Sequence, residues 1–122
     1  MQHLLIPTNK GGKLVLVKDI IRVEASSSYS KIYFSNEQPL LVAKVLQWFE
    51  DQLPGELFCR IHRTHLVNRM YVSEVFNRSS LALSNGDIVQ ISRRKKRFCK
   101  FTIQLAVPIK PTRMVGDRNP YF

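Results

Sequence analysis

Turn-forming residues cut this chain into short pieces, and that punctuation constrains its fold more than any other feature. Pro7–Gly12, the serine run 26–28, Asn36–Pro39, Pro54-Gly55 and Asn85–Asp87 each separate short apolar runs. Runs of that length, rich in Val, Ile, Leu, Tyr and Phe, are strand material. HLLI (3–6) and KLVLV (13–17) flank the first turn as an opening hairpin, and IIRVEA (20–25) alternates as a half-buried strand should. KIYF (31–34), LLVA (40–43), FCRIH (58–62), YVSEVF (71–76) and LALS (81–84) read as further strands, with the Asn-Gly-Asp turn leading into IVQI (88–91). Only AKVLQWFEDQL (43–53) changes period, placing Val45, Leu46, Phe49 and Leu53 at helical spacing before Pro54-Gly55 closes it. Beyond Ser92, a plausible N-cap, RRKKRFCKFTIQL allows either a helix or a strand. The expectation is a mostly β chain with one or two short helices.

The 122 residues suffice for one domain with a real core, and 44% hydrophobic with 23% charged residues is a globular composition. No apolar run approaches a membrane span, and MQHLLIPTNK lacks the basic and apolar regions of a signal peptide. Cys59 and Cys99 do not make a disulfide framework, so a reducing, cytoplasmic setting is expected. Charge says more. The formal net charge is +10, and residues 1–59 contribute none of it, holding six basic and six acidic residues. Residues 60–122 hold thirteen basic against three acidic residues. A field so segregated points to a polyanion, with nucleic acid first. A membrane surface is disfavoured, because no long basic amphipathic helix is present in the sequence.

Three phrases in order carry a resemblance: DIIRVEASSSYSKIYF (19–34), LFCRIHRTHLVNRMYVSEV (57–75) and LALSNGDIVQISRRKKRF (81–98). Together they resemble the LytTR DNA-binding domain of bacterial transcription regulators, over residues 3–105. The resemblance implies an elongated arrangement of about ten short strands in small sheets with short helices. It implies a domain at 1–105 and a C-terminal tail, 106–122, that is extended or disordered. It further implies sequence-specific binding of double-stranded DNA, with loop and strand-end side chains reaching successive grooves. Promoter direct repeats, a homodimer on DNA and a regulatory partner protein fit the same picture. Carried onto this chain, the base-contacting positions are Ser30, Arg63 and Arg94, with Tyr29 and Lys31 beside the first. A serine discriminates bases poorly, so Ser30 departs from relatives that carry a larger polar residue there.

Read as chemistry, Arg94 matches guanine O6 and N7 bidentately, whereas Arg93, Lys95, Lys96 and Arg97 suit phosphates. Arg60 and Arg69 are phosphate-contacting or supporting candidates, Arg60 equally a partly buried ion-pair member; Arg78 is either a phosphate contact or surface charge. Strand alternation sends Arg63 outward and makes His62 structural, while Asn68 suits a turn-bonding role. Trp48 beside Phe49 could cover a partner surface. Cys59, His62 and His65 invite a zinc reading, but offsets of three alternate faces on a strand, so no metal is expected. No cofactor motif is present, and no enzyme is expected: two histidines alone, without a nucleophile elbow or phosphate-cradling loop, make a poor active site. The rival functions are an RNA- or single-strand-binding basic β module using Tyr29, Tyr33 and Phe34, and a protein-interaction module with an acidic partner.

Overall fold

The structure, a computed structural model, describes residues 2–77 and 79–92. Ten strands and one α-helix follow in order: β1 His3–Thr8, β2 Gly11–Leu16, β3 Ile20–Ser26, β4 Tyr29–Phe34, β5 Leu40–Val42, α1 Leu46–Gln52, β6 Phe58–His62, β7 His65–Asn68, β8 Val72–Phe76, β9 Ser80–Leu83 and β10 Ile88–Gln90. All pairings are antiparallel. A five-stranded sheet in the order β5-β4-β3-β7-β6 is the centre, with the β1–β2 ribbon and a three-stranded sheet, β10-β9-β8, as separate layers.

Both faces of the central sheet are covered. On one face Val23, Ile32, Val42, Phe58 and Leu66 meet the inward residues of the ribbon (Leu4, Ile6, Val15) and of α1 (Leu46, Phe49). On the other, Ile21, Cys59, Ile61 and Val67 meet Val75, Leu81, Leu83, Val89 and Ile91 of the three-stranded layer. A bulge between Ile20 and Arg22 makes this division work. It sets Ile21 and Arg22 on the same face, toward the three-stranded layer, so that Ile20 and Val23, three residues apart, both enter the first core. Arg22 is buried with Ile21, but its charge is answered: Nε bonds Asp87 at 3.0 Å, Nη1 bonds Glu24 at 3.1 Å, and the guanidinium stacks 3.8 Å over the Tyr33 ring. Asp87 lies between β9 and β10, so this network pins the third layer to the central sheet.

Local chemistry sets the boundaries. The first turn shrinks to Asn9-Lys10, because β1 and β2 pair as far as Thr8 and Gly11. Gly11 closes the turn at φ 116°, a conformation that favours glycine. The helix is shorter than its periodicity predicts. Val45 is its extended N-cap and 53% exposed, so it leaves the apolar stripe. Leu53 is extended ahead of Pro54, as the proline ring requires, and its N–H closes the last turn on Phe49. β7 is a strand that the sequence patterning missed. Cys59 is disulfide-bonded, which corrects the expectation of an unpaired core thiol; Cys99, the other cysteine, lies outside the described residues, as do the tail and the segment after Ser92. Among the described residues no helix is long and apolar enough to cross a membrane.

Phe49 is fully buried where α1 crosses β3, β6 and β7. Phe49→Ala should lower the unfolding free energy by about 3–5 kcal/mol. Chemical denaturation measures this, and a loss below about 1 kcal/mol would mean that the helix is not part of the core.

Candidate nucleic-acid interface

Two tight hairpins turn at the same end of the central sheet. In β3–β4, Ser26 pairs with Tyr29, leaving Ser27-Ser28 as the turn. Ser27 adopts φ 59°, a left-handed conformation that costs a serine about 1–2 kcal/mol relative to glycine's freedom. In β6–β7, His62 pairs with His65, leaving Arg63-Thr64 as the turn. The two tips are tied together: the Ala25 N–H of β3 donates to the Thr64 carbonyl at 2.9 Å. Along this end the side chains of Ser26, Ser27, Ser28, Tyr29 and Arg63 are exposed, and neither tip carries an acid.

The Arg63-Thr64 turn is braced from several directions. Arg60 donates from Nη2 to the Arg63 carbonyl at 2.7 Å and from Nη1 to Glu50 of α1 at 2.9 Å. The Thr64 N–H donates to His62 Nδ1 at 3.1 Å, and Thr64 Oγ1 lies 2.9 Å from the same nitrogen. The Arg63 carbonyl, the Thr64 N–H and the Thr64 carbonyl thus each have a partner, and the Arg63 side chain projects from a braced turn.

The predicted residues separate into groups when placed on this frame. Arg63 is exposed at the tip, and Tyr29, 45% exposed, stands on the neighbouring one. Lys31 is exposed two residues further along β4, directly across from Glu24 and 5.3 Å from the Tyr33 ring centre. Ser30 is not a surface residue. It is fully buried, and its hydroxyl donates to the Lys44 carbonyl at 2.7 Å, tying β4 to the segment before α1. Strand alternation explains this: with Tyr29 and Lys31 outward, Ser30 must point in. Its expected base contact is therefore corrected to a structural bond. Arg60 is engaged in the brace. Arg69 sits at the opposite end of β7, where Nε donates to the Glu56 carbonyl at 2.7 Å, so it does not join the tips. Asn68 is buried, donating to the Ile20 carbonyl and accepting from the Met70 N–H.

Arg93, Arg94, Lys95, Lys96 and Arg97 lie outside the described residues, as does Arg78. Their point of departure is defined, because the Ser92 N–H donates to the Ile61 carbonyl at 2.7 Å. The chain thus leaves the third layer beside β6, two residues from Arg63. Lys44 and Thr64 are members of this end that sequence patterning missed. The signal for Thr64 was the two-residue spacing that makes His62 and His65 opposite neighbours, with ring centres 5.3 Å apart. The same pairing overturns the expectation that these histidines face apart. No group of three or more His, Cys, Asp or Glu suited to a metal occurs among the described residues.

Burial holds His65 below the ordinary imidazole value of about 6.5, helped by His62 and Arg22 and opposed by Glu24. An unfolded chain would take up this proton first on acidification, so folding stability should fall as pH drops through about 6.5 and level off below the folded value. Thermal unfolding from pH 8 to pH 5 tests this. His65→Gln should shrink the pH dependence, and an unchanged slope would acquit His65.

Known proteins match this geometry. The family model described as the LytTr DNA-binding domain matches residues 11–102. A solved structure, the LytTr DNA-binding domain of a Bacillus cereus protein described as a methyl-accepting/DNA response regulator, superposes with a TM-score of 0.71. At 22% sequence identity it covers 84% of this chain and 97% of its own, and it bears out the mostly β fold of small sheets. No curated protein sequence matches.

Proposed function

We propose that this chain, which belongs to the LytTr DNA-binding domain family, is a sequence-specific double-stranded DNA-binding module of a transcription regulator. It reads grooves from the shared end of its two central hairpins. The family carries DNA binding in transcription regulators as the coarse statement. The observation that supports the finer one is the convergence of three segments: the Ser26–Tyr29 tip, the Arg63-Thr64 tip and the departure of the basic run beside Ile61.

Arg63 is the reader on the described surface. Its guanidinium leaves a braced turn, and among the described residues no carboxylate forms an ion pair with it. An exposed arginine on a braced turn can hold guanine O6 and N7 bidentately. Arg94 is the second reader, with Arg93, Lys95, Lys96 and Arg97 gripping phosphates. Tyr29 and Lys31 flank the duplex from the neighbouring hairpin. Arg60 and His62 act as supports rather than contacts. The partner is promoter DNA, in direct repeats that seat two copies. The chemistry is binding, with no catalytic step; regulation comes through a partner protein.

Selecting bound duplexes from a random pool should return a defined site, with duplex DNA outcompeting single-stranded RNA of equal length. On that site Arg63→Ala and Arg94→Ala should each cost about 1–3 kcal/mol and blur one position. Lys31→Ala should weaken every duplex alike and lower the salt slope by about one. An unselective pool, or an unchanged site preference in both arginine variants, would sink this reading.

A further inference from the structure

The tip that carries Arg63 hangs on the lone pair of an imidazole. A backbone N–H can only donate, so His62 Nδ1, 3.1 Å from the Thr64 nitrogen, accepts and bears no proton. The ring's hydrogen is therefore on Nε2, and the Thr64 hydroxyl, 2.9 Å from Nδ1, is a donor to it. We propose that His62 is a positioning residue for DNA binding, and that its protonation releases the Arg63-Thr64 tip and weakens sequence-specific binding. This rests on the tip being part of the DNA interface.

The physical reason is a change of sign at one atom. Protonated Nδ1 is itself a donor, so it faces the Thr64 N–H donor to donor and that bond is lost, while the Thr64 hydroxyl can only turn round and accept from the ring. What remains of the brace, Arg60 on the Arg63 carbonyl and Ala25 on the Thr64 carbonyl, fixes one side of the turn only. Several charged groups surround the ring. The His65 ring of β7 lies against His62, Arg60 and Arg63 stand on the same hairpin, and Arg22 lies beyond on β3. Lys31 of β4 lies across from Glu24. The opposing carboxylates are committed: Glu24 holds Arg22 and the Tyr33 hydroxyl, and Glu50 of α1 holds Arg60. Between about pH 8 and pH 5.5 lysine, arginine and DNA phosphates keep their charge, so the titrating groups near the tip are His62 and His65.

The direction of the effect separates positioning from simple electrostatics. Added positive charge on a DNA-binding surface strengthens attraction to phosphates. A tip that loses its base should do the opposite on a specific site and leave a random duplex unaffected or bound more tightly.

The test is the affinity of the full chain for a selected duplex and for a random one, at constant ionic strength, from about pH 8 to about pH 5.5. Wild-type affinity for the selected duplex should fall about tenfold, the scale of leaving one part-buried N–H without its acceptor. His62→Asn places an amide oxygen near the position of Nδ1 and cannot titrate, so it should keep near-wild-type affinity at pH 8 and flatten the fall. His62→Ala should already be weak at pH 8, whereas His65→Gln should retain the fall. Wild-type affinity that is flat or rises on acidification overturns the proposal, as does an equal fall in His62→Asn. If His62→Asn fails to fold, Thr64 amide hydrogen exchange in the wild-type chain decides: protection should drop on acidification, and unchanged protection overturns the proposal. A chain that binds no duplex at any pH would instead defeat the DNA-binding reading itself.

Discussion

A sheet of five strands with apolar residues on both faces cannot stand in water, and its need for two covers organises the molecule. β3 and β7 lie at its middle, with Val23 and Leu66 facing one side and Ile21 and Val67 the other. The ribbon and α1 supply one cover, and the three-stranded layer supplies the other. Because covers are needed over the faces and not over the strand ends, the ends of the hairpins stay open to solvent. The bulge at Ile20–Arg22 lets β3 give Ile20 and Val23 to one core while Ile21 and Arg22 both face the other layer. Arg22 then turns a liability into a fastening. Its burial would be costly alone, but Glu24, Asp87 and the Tyr33 ring together answer the charge and fix the third layer in place.

That fastening matters at the far end of the third layer. β10 leads through Ile91, whose N–H bonds the Ser79 carbonyl, to Ser92, whose N–H bonds Ile61. Any tilt of the layer would therefore move Ser92 relative to Ile61 and the Arg63-Thr64 turn, and their spacing is set by core packing and one buried ion network. Side chains that read a duplex must be held at a fixed spacing, and rigid strands with short turns hold them better than long loops would.

Much of the fold was legible because strand and turn chemistry are local. β6 begins and ends where FCRIH does, β3, β8 and β10 differ from their sequence ranges by a residue at one end, and β9 is displaced by one residue. β7 was not legible, because His65–Asn68 mixes one partly buried histidine, two apolar residues and a buried asparagine, and no alternation survives. Its strand character comes from pairing with β3 and β6, which a local pattern does not contain. Missing β7 also hid the turn before it, and with it the facing of His62 and His65 and the importance of Thr64. Val45 illustrates the converse: helical spacing placed it on the apolar stripe, but the helix begins one residue later. Ser30 was misplaced because a resemblance transfers positions and not side-chain directions. The inward hydroxyl was decided by its neighbours Tyr29 and Lys31 facing out.

The division of charge along the sequence now has a structural counterpart. The half of the chain with no net charge builds most of the two-sided framework, and several of its charged groups are consumed within it: Arg22 with Glu24 and Asp87, Lys13 with Glu37, and Glu50 with Arg60. A framework neutralised in this way contributes little to long-range attraction, so attraction is left to the basic residues beyond it. Arg63 stands exposed on a turn whose backbone is braced. Cations that meet only phosphates give affinity that any duplex satisfies, whereas a guanidinium that meets a base edge gives choice.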